Sequence, residues 1–406
     1  MPRSTPGAPA ALPATLLALA LSLGAAVSLG ITRFAYGLLL PTMREDLGWS
    51  YALAGAMNTA NALGYLIGAL ATPWLLRRQG PERVLLGGAV LASLFMACSG
   101  FFTEAAPLLA QRLLAGAASA LVFIAGGLMA ARLGALQPGR SGWLLGLYYG
   151  GTGWGIALSA WAVPAALQQA VHEAHAWRWA WWALAAVSLL ASAALWWPAR
   201  RLAALLPPAT VGSTGRGFDP RPLWPALAGY TAFGVGYIGY MTFVVALLRE
   251  QGVAPERITL FYALLGAAVL ASARLWAGLL ERARGGGALA FLNALLGVAA
   301  LLPALSHWWP ALLLSGLMFG GVFLSVVAST TALVRHNLPA SRWAAGISAF
   351  TIVFAAGQIV GPTAVGWIAD GAGGLVRGLV FSALALWVGA LLAWRQRPLG
   401  AVVPEA

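Results

Sequence analysis

Long apolar runs, each ended by charged residues, glycine or proline, dominate the chain. Twelve can be counted, at 16–40, 51–76, 84–102, 107–131, 143–167, 179–197, 223–248, 258–280, 288–305, 310–334, 343–367 and 376–394. A membrane-spanning helix needs about 20 mostly apolar residues, whereas barrel strands would be about 10 residues long with strict alternation. The runs therefore predict an all-α membrane protein with twelve transmembrane helices, because a helix satisfies its own backbone hydrogen bonds in lipid. The first run continues to Leu40, beyond a typical signal-peptide core, so we expect an uncleaved first span.

Composition agrees with this membrane assignment. The chain has 406 residues, of which 60% are hydrophobic and only 9% are charged, whereas about 25% of the residues of a soluble protein are charged. The formal net charge of +13 comes from arginine alone, because the sequence contains no lysine. The arginines form short clusters between apolar runs and no continuous basic face, so we expect no nucleic-acid partner.

The loop arginines also predict an orientation. Most of them lie on one side of the predicted membrane, and only Arg44, Arg178, Arg249, Arg257 and Arg377 lie on the other. Basic loops stay in the cytoplasm. Both termini are therefore expected on the cytoplasmic side.

The longest polar break, at 198–222, divides the chain into two halves. It is rich in proline, glycine and serine and is interpreted as a flexible cytoplasmic linker between a six-helix bundle at 1–197 and another at 223–406. The two halves show weak sequence similarity, because Arg44-Glu45 follows span 1 and Arg249-Glu250 follows span 7. Two parallel six-helix repeats place a substrate site between them near the bilayer midplane.

Several motifs resemble those of major facilitator superfamily transporters over nearly the full length. Arg112 followed by Gly116 is similar to the signature of the family's fourth helix, and 177–179 (Trp-Arg-Trp) is typical before the sixth. The loop at 77–83 occupies the place of the first family signature but has Arg77 where the family has an acid. One branch of the superfamily, the YbfB/YjiJ-like branch, is resembled more narrowly by the stretches at 33–36, 40–41, 58–65 and 357–362.

The resemblance implies a transporter that works by alternating access of two pseudo-symmetric six-helix bundles, with neither enzymatic activity nor a cofactor. It also implies gating or structural roles for seven residues of the inter-helix loops and span 11: Arg77, Arg78, Gly80, Glu281, Arg282, Gly361 and Pro362. Gly361-Pro362 would bend span 11.

Arg33 is the first candidate binding residue. It lies inside the first apolar run, where an arginine costs roughly 2.5–3.5 kcal/mol on insertion scales. Reaching the extracytoplasmic interface would require the side chain to bend against the N-terminal lean of helical side chains. We therefore expect Arg33 to face the protein interior. Its partner there is either a rim acid such as Asp46 or the substrate.

Arg112 in span 4 is the second candidate. Its side chain leans toward the near end of its own helix. An alternative is therefore that the side chain extends to the membrane interface. In the superfamily the matching arginine is tied to substrate or proton handling, which favours a cavity role here. Two arginines without acids would attract anions and match carboxylate geometry.

Polar and aromatic side chains near these arginines in the predicted cavity fit a modest organic ligand. They are Tyr36, Asn58, Asn61, Tyr65, Tyr148, Tyr149, Tyr237, Tyr240, Ser325, Ser329 and Gln358. Each alone is more typical of helix–helix hydrogen bonding or packing. We expect Arg33, Arg112, Tyr36, Asn58, Asn61, Tyr149, Tyr237, Tyr240 and Gln358 to bind substrate.

Every aspartate and glutamate falls at a span end or in a loop. Proton-coupled carriers commonly use a carboxylate within the membrane. If protons are coupled here, Asp46, Glu104 or Asp370 would have to serve from the rim. A facilitator, or an anion carried together with a proton, stays open.

The remaining motifs exclude other classes. Cys98 is the only cysteine, so it forms neither an intramolecular disulfide nor a cysteine metal site. The histidines at 172 and 175 lack metal-ligand spacing, and P-loop and G-x-S-x-G motifs are absent. A receptor or membrane enzyme would need a large soluble domain or an intramembrane catalytic set, which the sequence lacks.

The sequence thus predicts a secondary active or facilitative carrier of a small organic molecule, an organic anion or carboxylate, in the bacterial cytoplasmic membrane. We expect a monomer in the lipid bilayer whose partners are the substrate and, in the coupled case, a proton. An efflux carrier for amphipathic compounds, of the drug-antiporter type, is the alternative that the tyrosine- and tryptophan-rich spans suggest. The absence of the antiporter Gly-Pro from span 5 counts against it.

Overall fold

The computed structural model describes residues 14–205 and 219–399, and this part of the chain is helical with no strand. The helices are α1 (Ala14–Ala25), α2 (Tyr36–Leu47), α3 (Tyr51–Ser99), α4 (Ala105–Ala135), α5 (Ser141–Gln169), α6 (Trp177–Leu205), α7 (Trp224–Glu250), α8 (Pro255–Leu275), α9 (Ala277–Arg282), α10 (Gly287–Leu305), α11 (Trp309–Asn337), α12 (Trp343–Ala369) and α13 (Gly374–Trp394). The prediction of an all-α protein is confirmed for these residues.

A π-helical segment, Ala26–Phe34, joins α1 to α2 and contains Arg33. Segments of this kind are rare and concentrate at functional sites. Here the segment packs tightly on α5, because a Cβ at Gly30 would lie 2.6 Å from the Cα of Gly155. The sequence predicted an ordinary span, and the wider turn became visible only in the structure.

The second and third apolar runs form one helical element, α3, of 49 residues. At 1.5 Å per residue a straight helix of that length would measure about 74 Å, more than twice the hydrocarbon thickness of a bilayer. Gly80 interrupts it with φ 78° and ψ 162°. A Cβ there would meet nothing within 4 Å, so the left-handed φ and not lack of space requires glycine.

In the described part of the chain, nine helices are long and apolar enough to cross a membrane. They are Ala14–Leu47, Tyr51–Ser99, Ala105–Ala135, Trp177–Ala204, Arg221–Glu250, Gly287–Leu305, Trp309–Asn337, Ala345–Ala369 and Gly374–Trp394. The set omits α5 and α8 and counts α3 once. The predicted number of twelve spans and the orientation of the termini therefore stay predictions.

The helices before and after the predicted linker meet at the end of the molecule that carries Asp46 and Glu250. The Asp370 carboxylate accepts hydrogen bonds from the backbone N–H groups of Tyr51 at 2.6 Å and Ala52 at 2.9 Å. The Tyr51 hydroxyl donates to the Glu250 carboxylate. At this end, α12 therefore bonds to the first turn of α3, and α3 bonds to the last residue of α7.

Small residues allow these helices to approach closely, as is common where membrane helices pack. A Cβ at Gly55 of α3 would lie 2.2 Å from the carbonyl oxygen of Pro362 in α12. A Cβ at Gly37 would lie 2.6 Å from the carbonyl oxygen of Met241 in α7. The halves also touch at the opposite end, where the Arg274 guanidinium of α8 lies 4.1 Å from the centre of the Trp143 ring in α5.

The predicted linker is only partly described. Helix α6 continues past Pro198 to Leu205, and α7 begins at Trp224. Residues 206–218 lie outside the described residues. The boundaries at 197, 198, 222 and 223 stay predictions.

Replacing Gly55 with leucine should open the Asp46 end, because the side chain would overlap the Pro362 carbonyl. We expect less cross-linking of Thr42→Cys to Arg249→Cys by a short bifunctional thiol reagent, in a Cys98→Ser background. The native side chains at 42 and 249 are hydrogen-bonded at 3.0 Å when this end is closed, and the reagent spans the length of the arginine side chain that cysteine lacks. Gly87→Leu on the same helix is the control, since a Cβ at Gly87 meets nothing within 4 Å. Equal cross-linking in both variants would contradict the prediction.

Candidate functional site

Arg33 is buried without a hydrogen-bonding partner. Its side chain is 2% exposed, and its Nε and Nη2 atoms make no hydrogen bond with the described residues. Its nearest aromatic contact is Tyr65, whose ring centre lies 5.6 Å from the guanidinium carbon. A buried ion without compensation is costly, and the cost is several kcal/mol even after relaxation.

No described acid neutralises this charge. None of the aspartates and glutamates of residues 14–205 and 219–399 is buried, and Glu82 is the only half-buried one. Glu82 pairs with Arg200 at 3.3 Å. The rim acid considered for Arg33, Asp46, is held by His175 and Trp177, each at 2.5 Å. Within the described residues Arg33 is therefore an uncompensated cation.

Arg112 is equally buried, at 2% exposure, but its hydrogen bonds are made within the protein. Its Nη1 donates to the carbonyl oxygen of Thr32 at 2.7 Å, and its Nη2 donates to Asn58 Oδ1 at 2.8 Å. The guanidinium carbon also lies 5.0 Å from the centre of the Tyr36 ring and 5.5 Å from that of Trp181. Arg112 thus joins α4 to the π-helical segment and to α3.

Three other predicted binding residues surround Arg112 and are also hydrogen-bonded within the protein, whereas Arg112 Nε and Asn61 Oδ1 have no partner among the described residues. Asn58 donates to Thr242 Oγ1 of α7 at 2.8 Å, which extends the network into the second half. Asn61 donates to the carbonyl oxygen of Arg112 at 3.2 Å, and the Tyr36 hydroxyl donates to that of Ala54 at 2.8 Å. The structure therefore gathers Arg112, Tyr36, Asn58 and Asn61 into an interhelical network.

A second group of predicted residues lies around Arg33. Arg33 interacts electrostatically with Tyr65 and Tyr237, and Tyr65 interacts with Tyr149. Tyr237 donates its hydroxyl to Gln358 Oε1 at 3.2 Å. The half-buried hydroxyls of Tyr65 and Tyr149 have no hydrogen-bonding partner among the described residues. The group thus offers the guanidinium, the hydroxyls and the Gln358 amide, and it contains no carboxylate.

The other predicted polar residues are bound to neighbouring helices. Tyr240 stacks on Phe319 with 4.0 Å between ring centres, and its hydroxyl shares a 2.7 Å hydrogen bond with Ser315. The hydroxyls of Tyr148, Ser325 and Ser329 donate to backbone carbonyls. These contacts are typical of helix–helix packing.

The three candidate coupling acids differ in their contacts. Asp46 is bound within the first half, as described above. Glu104 is exposed at the start of α4 and forms no side-chain cap. Asp370 alone bonds across the two halves, at the first turn of α3.

The predicted gating residues lie in two kinds of surroundings. Arg77, Arg78, Glu281 and Arg282 are exposed, and Arg78 lies 4.4 Å from the centre of the Trp74 ring. Gly80 provides the break in α3 described above. A Cβ at Gly361 would lie 2.6 Å from the carbonyl oxygen of Val235, and Pro362 lies inside α12 against Gly55.

Sequence reasoning missed a cluster of parallel rings beside this group. Phe233, Tyr237 and Phe354 lie 4.8–5.5 Å apart between ring centres, with interplanar angles of 9–20°. The signal was available, because residues 230, 233 and 237 are aromatic at the i, i+3, i+7 spacing of one helix face. Taken singly, each tyrosine is typical of helix–helix hydrogen bonding or packing, and the cluster becomes visible only when the three positions are considered together.

Residues 25–394 match the family model described as "Uncharacterised MFS-type transporter YbfB". The chain belongs to this family. It is therefore a multi-pass membrane protein of the major facilitator type, and the resemblance in the motifs is confirmed.

Solved transporters share the fold at low sequence identity. A bacterial homologue of the human lysosomal transporter Spinster, inward-facing and unoccupied, has a TM-score of 0.69 and 15% identity, over 95% of this chain and 97% of that one. The nucleoside transporter NupG has a TM-score of 0.69 and 12% identity, over 94% and 98%. These likenesses show the fold alone. The family and these neighbours are transporters and not enzymes.

A curated relative matches a short stretch. The 4-hydroxybenzoate transporter PcaK of Pseudomonas aeruginosa is 33% identical over 87 residues, which are 21% of this chain and 19% of that protein. The chain thus matches about a fifth of its length.

Arg112→Ala should lower the stability of the purified protein, whereas Arg33→Ala should not. The first change leaves the Thr32 carbonyl and the Asn58 side chain without their donor, at a cost of about 1–3 kcal/mol each. The second removes a charge that has no partner. Thermal unfolding in detergent measures both. A loss of stability in Arg33→Ala equal to that in Arg112→Ala would contradict the assignment.

Proposed function

We propose that this protein is a secondary carrier of small organic anions, carboxylates foremost, that works by alternating access of two six-helix halves. The observation that carries the proposal is Arg33, which is 2% exposed and, among the described residues, has two guanidinium nitrogen atoms unpaired and no buried acid to neutralise it. A carboxylate fits a guanidinium through two parallel hydrogen bonds. The substrate itself would then supply the missing charge.

The surroundings of Arg33 support an anion over a cation. Tyr65, Tyr149 and the Gln358 amide offer hydrogen-bond donors, and the group contains no acid. In a low-dielectric site an unneutralised guanidinium repels a cation and attracts an anion. The partial likeness to a transporter named for 4-hydroxybenzoate, itself a carboxylate, points the same way.

The arrangement of the halves supports alternating access. We propose twelve spans with both termini in the cytoplasm, which makes the Asp46 end extracytoplasmic and closed in this conformation. Opening would separate α3 from α12 and α2 from α7, because those pairs make the contacts at that end. The exposed loops with Arg77, Arg78 and Gly80 and with Glu281 and Arg282 would act at the cytoplasmic end.

If a proton is co-transported, we propose Asp370 as its acceptor over Asp46 and Glu104. Asp370 alone of the three bonds across the halves, and a carboxylate at a helix N-terminus is stabilised by the helix dipole. Its protonation would weaken this contact and favour opening. Asp46 would serve to hold His175 and the first residue of α6, Trp177.

We further propose a monomer in the bacterial cytoplasmic membrane. Efflux of amphipathic compounds is the alternative, and the aromatic cluster beside Arg33 favours it for uncharged or anionic amphipaths. Amphipathic cations would meet the unneutralised charge of Arg33. Resistance profiles of a deletion strain separate efflux from anion carriage.

Arg33→Ala should abolish the thermal stabilisation of the purified protein by organic anions and reduce their uptake into proteoliposomes. Losing a charge-assisted hydrogen bond weakens binding by about 10- to 100-fold. Arg33→Lys should keep part of the affinity, since lysine retains the charge without the bidentate geometry. The control is Arg257→Ala, which removes an exposed arginine whose guanidinium carbon lies 5.5 Å from the Trp309 ring centre. Anion uptake by Arg33→Ala at the wild-type rate would refute the anion site.

Asp370→Asn should lower the equilibrium constant for closure of the Asp46 end by about two- to fivefold. The reason is that the interaction of a carboxylate with the helix dipole is worth roughly 0.3–1 kcal/mol. The measurement is again cross-linking between Thr42→Cys and Arg249→Cys in the Cys98→Ser background. Glu104→Gln serves as control, since Glu104 is exposed and caps nothing. Unchanged cross-linking in Asp370→Asn would show that Asp370 does not contribute to closure of the Asp46 end.

A further inference from the structure

We infer that the organic anion carries an aromatic ring, which stacks on the parallel rings of the second half while its carboxylate binds Arg33. This inference rests on the proposed anion site and specifies its substrate class. It starts from the placement of aromatic side chains around one buried charge.

The rings of the second half form a row of parallel, stacked rings. Phe354 of α12 stacks with Tyr230 at 4.9 Å, with Phe233 at 5.4 Å and with Tyr237 at 5.5 Å, at interplanar angles of 20°, 9° and 20°. Phe323 of α11 is parallel to Tyr237, with 9° between the planes and 6.1 Å between ring centres. We call Tyr230, Phe233, Tyr237, Phe323 and Phe354 the aromatic wall.

The wall packs against the segment that carries Arg33. Phe34, the residue after Arg33, meets Phe323 edge-on at 5.8 Å and 85°. The Arg33 charge is also close enough to influence Tyr237 electrostatically. We expect a carboxylate held by the guanidinium to direct an attached group toward the wall.

Phe354 is the one ring of the wall that is not fully buried. It is half-buried, whereas Phe233 and Phe323 are fully buried. Aromatic rings prefer offset stacking with centroids about 4.5–7 Å apart, and such pairs gain affinity beyond the area they bury. A flat ring can extend a row of parallel rings in this way, and a saturated ring or an alkyl chain cannot.

The first half contributes further aromatic groups near Arg33. Tyr149 packs against Phe123 and Tyr148, each with 5.2 Å between ring centres. Tyr65 lies under the guanidinium and interacts with Tyr149 and Tyr237. A ligand bound by Arg33 of the first half and by the wall of the second would contact both halves at once, as alternating access requires.

The test compares two carboxylates of similar size, benzoate and cyclohexanecarboxylate, binding to the full-length purified protein by calorimetry. We expect benzoate to bind about 3- to 10-fold more tightly, which is the usual gain from one stacked pair. Phe354→Leu should remove this preference by weakening benzoate and leaving cyclohexanecarboxylate unchanged. Phe291→Leu, on an exposed ring of α10, should keep the preference.

The outcomes separate the inference from the proposed function. Equal binding of the two carboxylates, or a preference that survives in Phe354→Leu, would overturn the aromatic assignment and leave the anion site standing. A lower melting temperature in Phe354→Leu with benzoate preference intact would make the wall ordinary core packing and overturn the inference as well. If no carboxylate binds to the wild-type protein, the proposed function fails and the inference fails with it.

Discussion

A buried positive charge that no acid of residues 14–205 and 219–399 neutralises constrains the centre of this molecule. Arg33 is 2% exposed, and the described acids all lie at helix ends or in loops. Burying such a charge costs several kcal/mol, so the surrounding helices must hold it there at the expense of stability. In the function proposed above, an anion that binds Arg33 would recover this free energy, and substrate binding would then help to organise the two halves.

The π-helical segment that carries Arg33 connects this site to the rest of the fold. Its carbonyl groups accept side-chain hydrogen bonds from both halves: that of Thr32 from Arg112 at 2.7 Å, and that of Phe34 from Tyr262 at 2.7 Å. Arg112 also reaches α7 through Asn58 and Thr242. A rearrangement of the segment around a ligand would therefore change its contacts with α4, α7 and α8 together.

The two buried arginines illustrate how similar sequence contexts acquire different roles. Both lie in apolar runs, and both are 2% exposed. Arg112 finds two oxygen acceptors on other helices, whereas two nitrogen atoms of Arg33 have none. We propose that hydrogen bonding, rather than burial, distinguishes Arg112 as a structural cation from Arg33 as a ligand-binding one.

The sequence by itself determined the helical membrane fold and the family, because apolar runs in lipid must form helices and the motifs are local in the chain. It also identified Arg33, Tyr237 and Gln358 as members of one candidate set. Only the tertiary structure decided which members meet. The partners of Arg112 come from residues 32 and 58, and the wall joins residues 230–237 to 323 and 354. Such contacts depend on how distant helices pack, which periodicity within one helix does not specify.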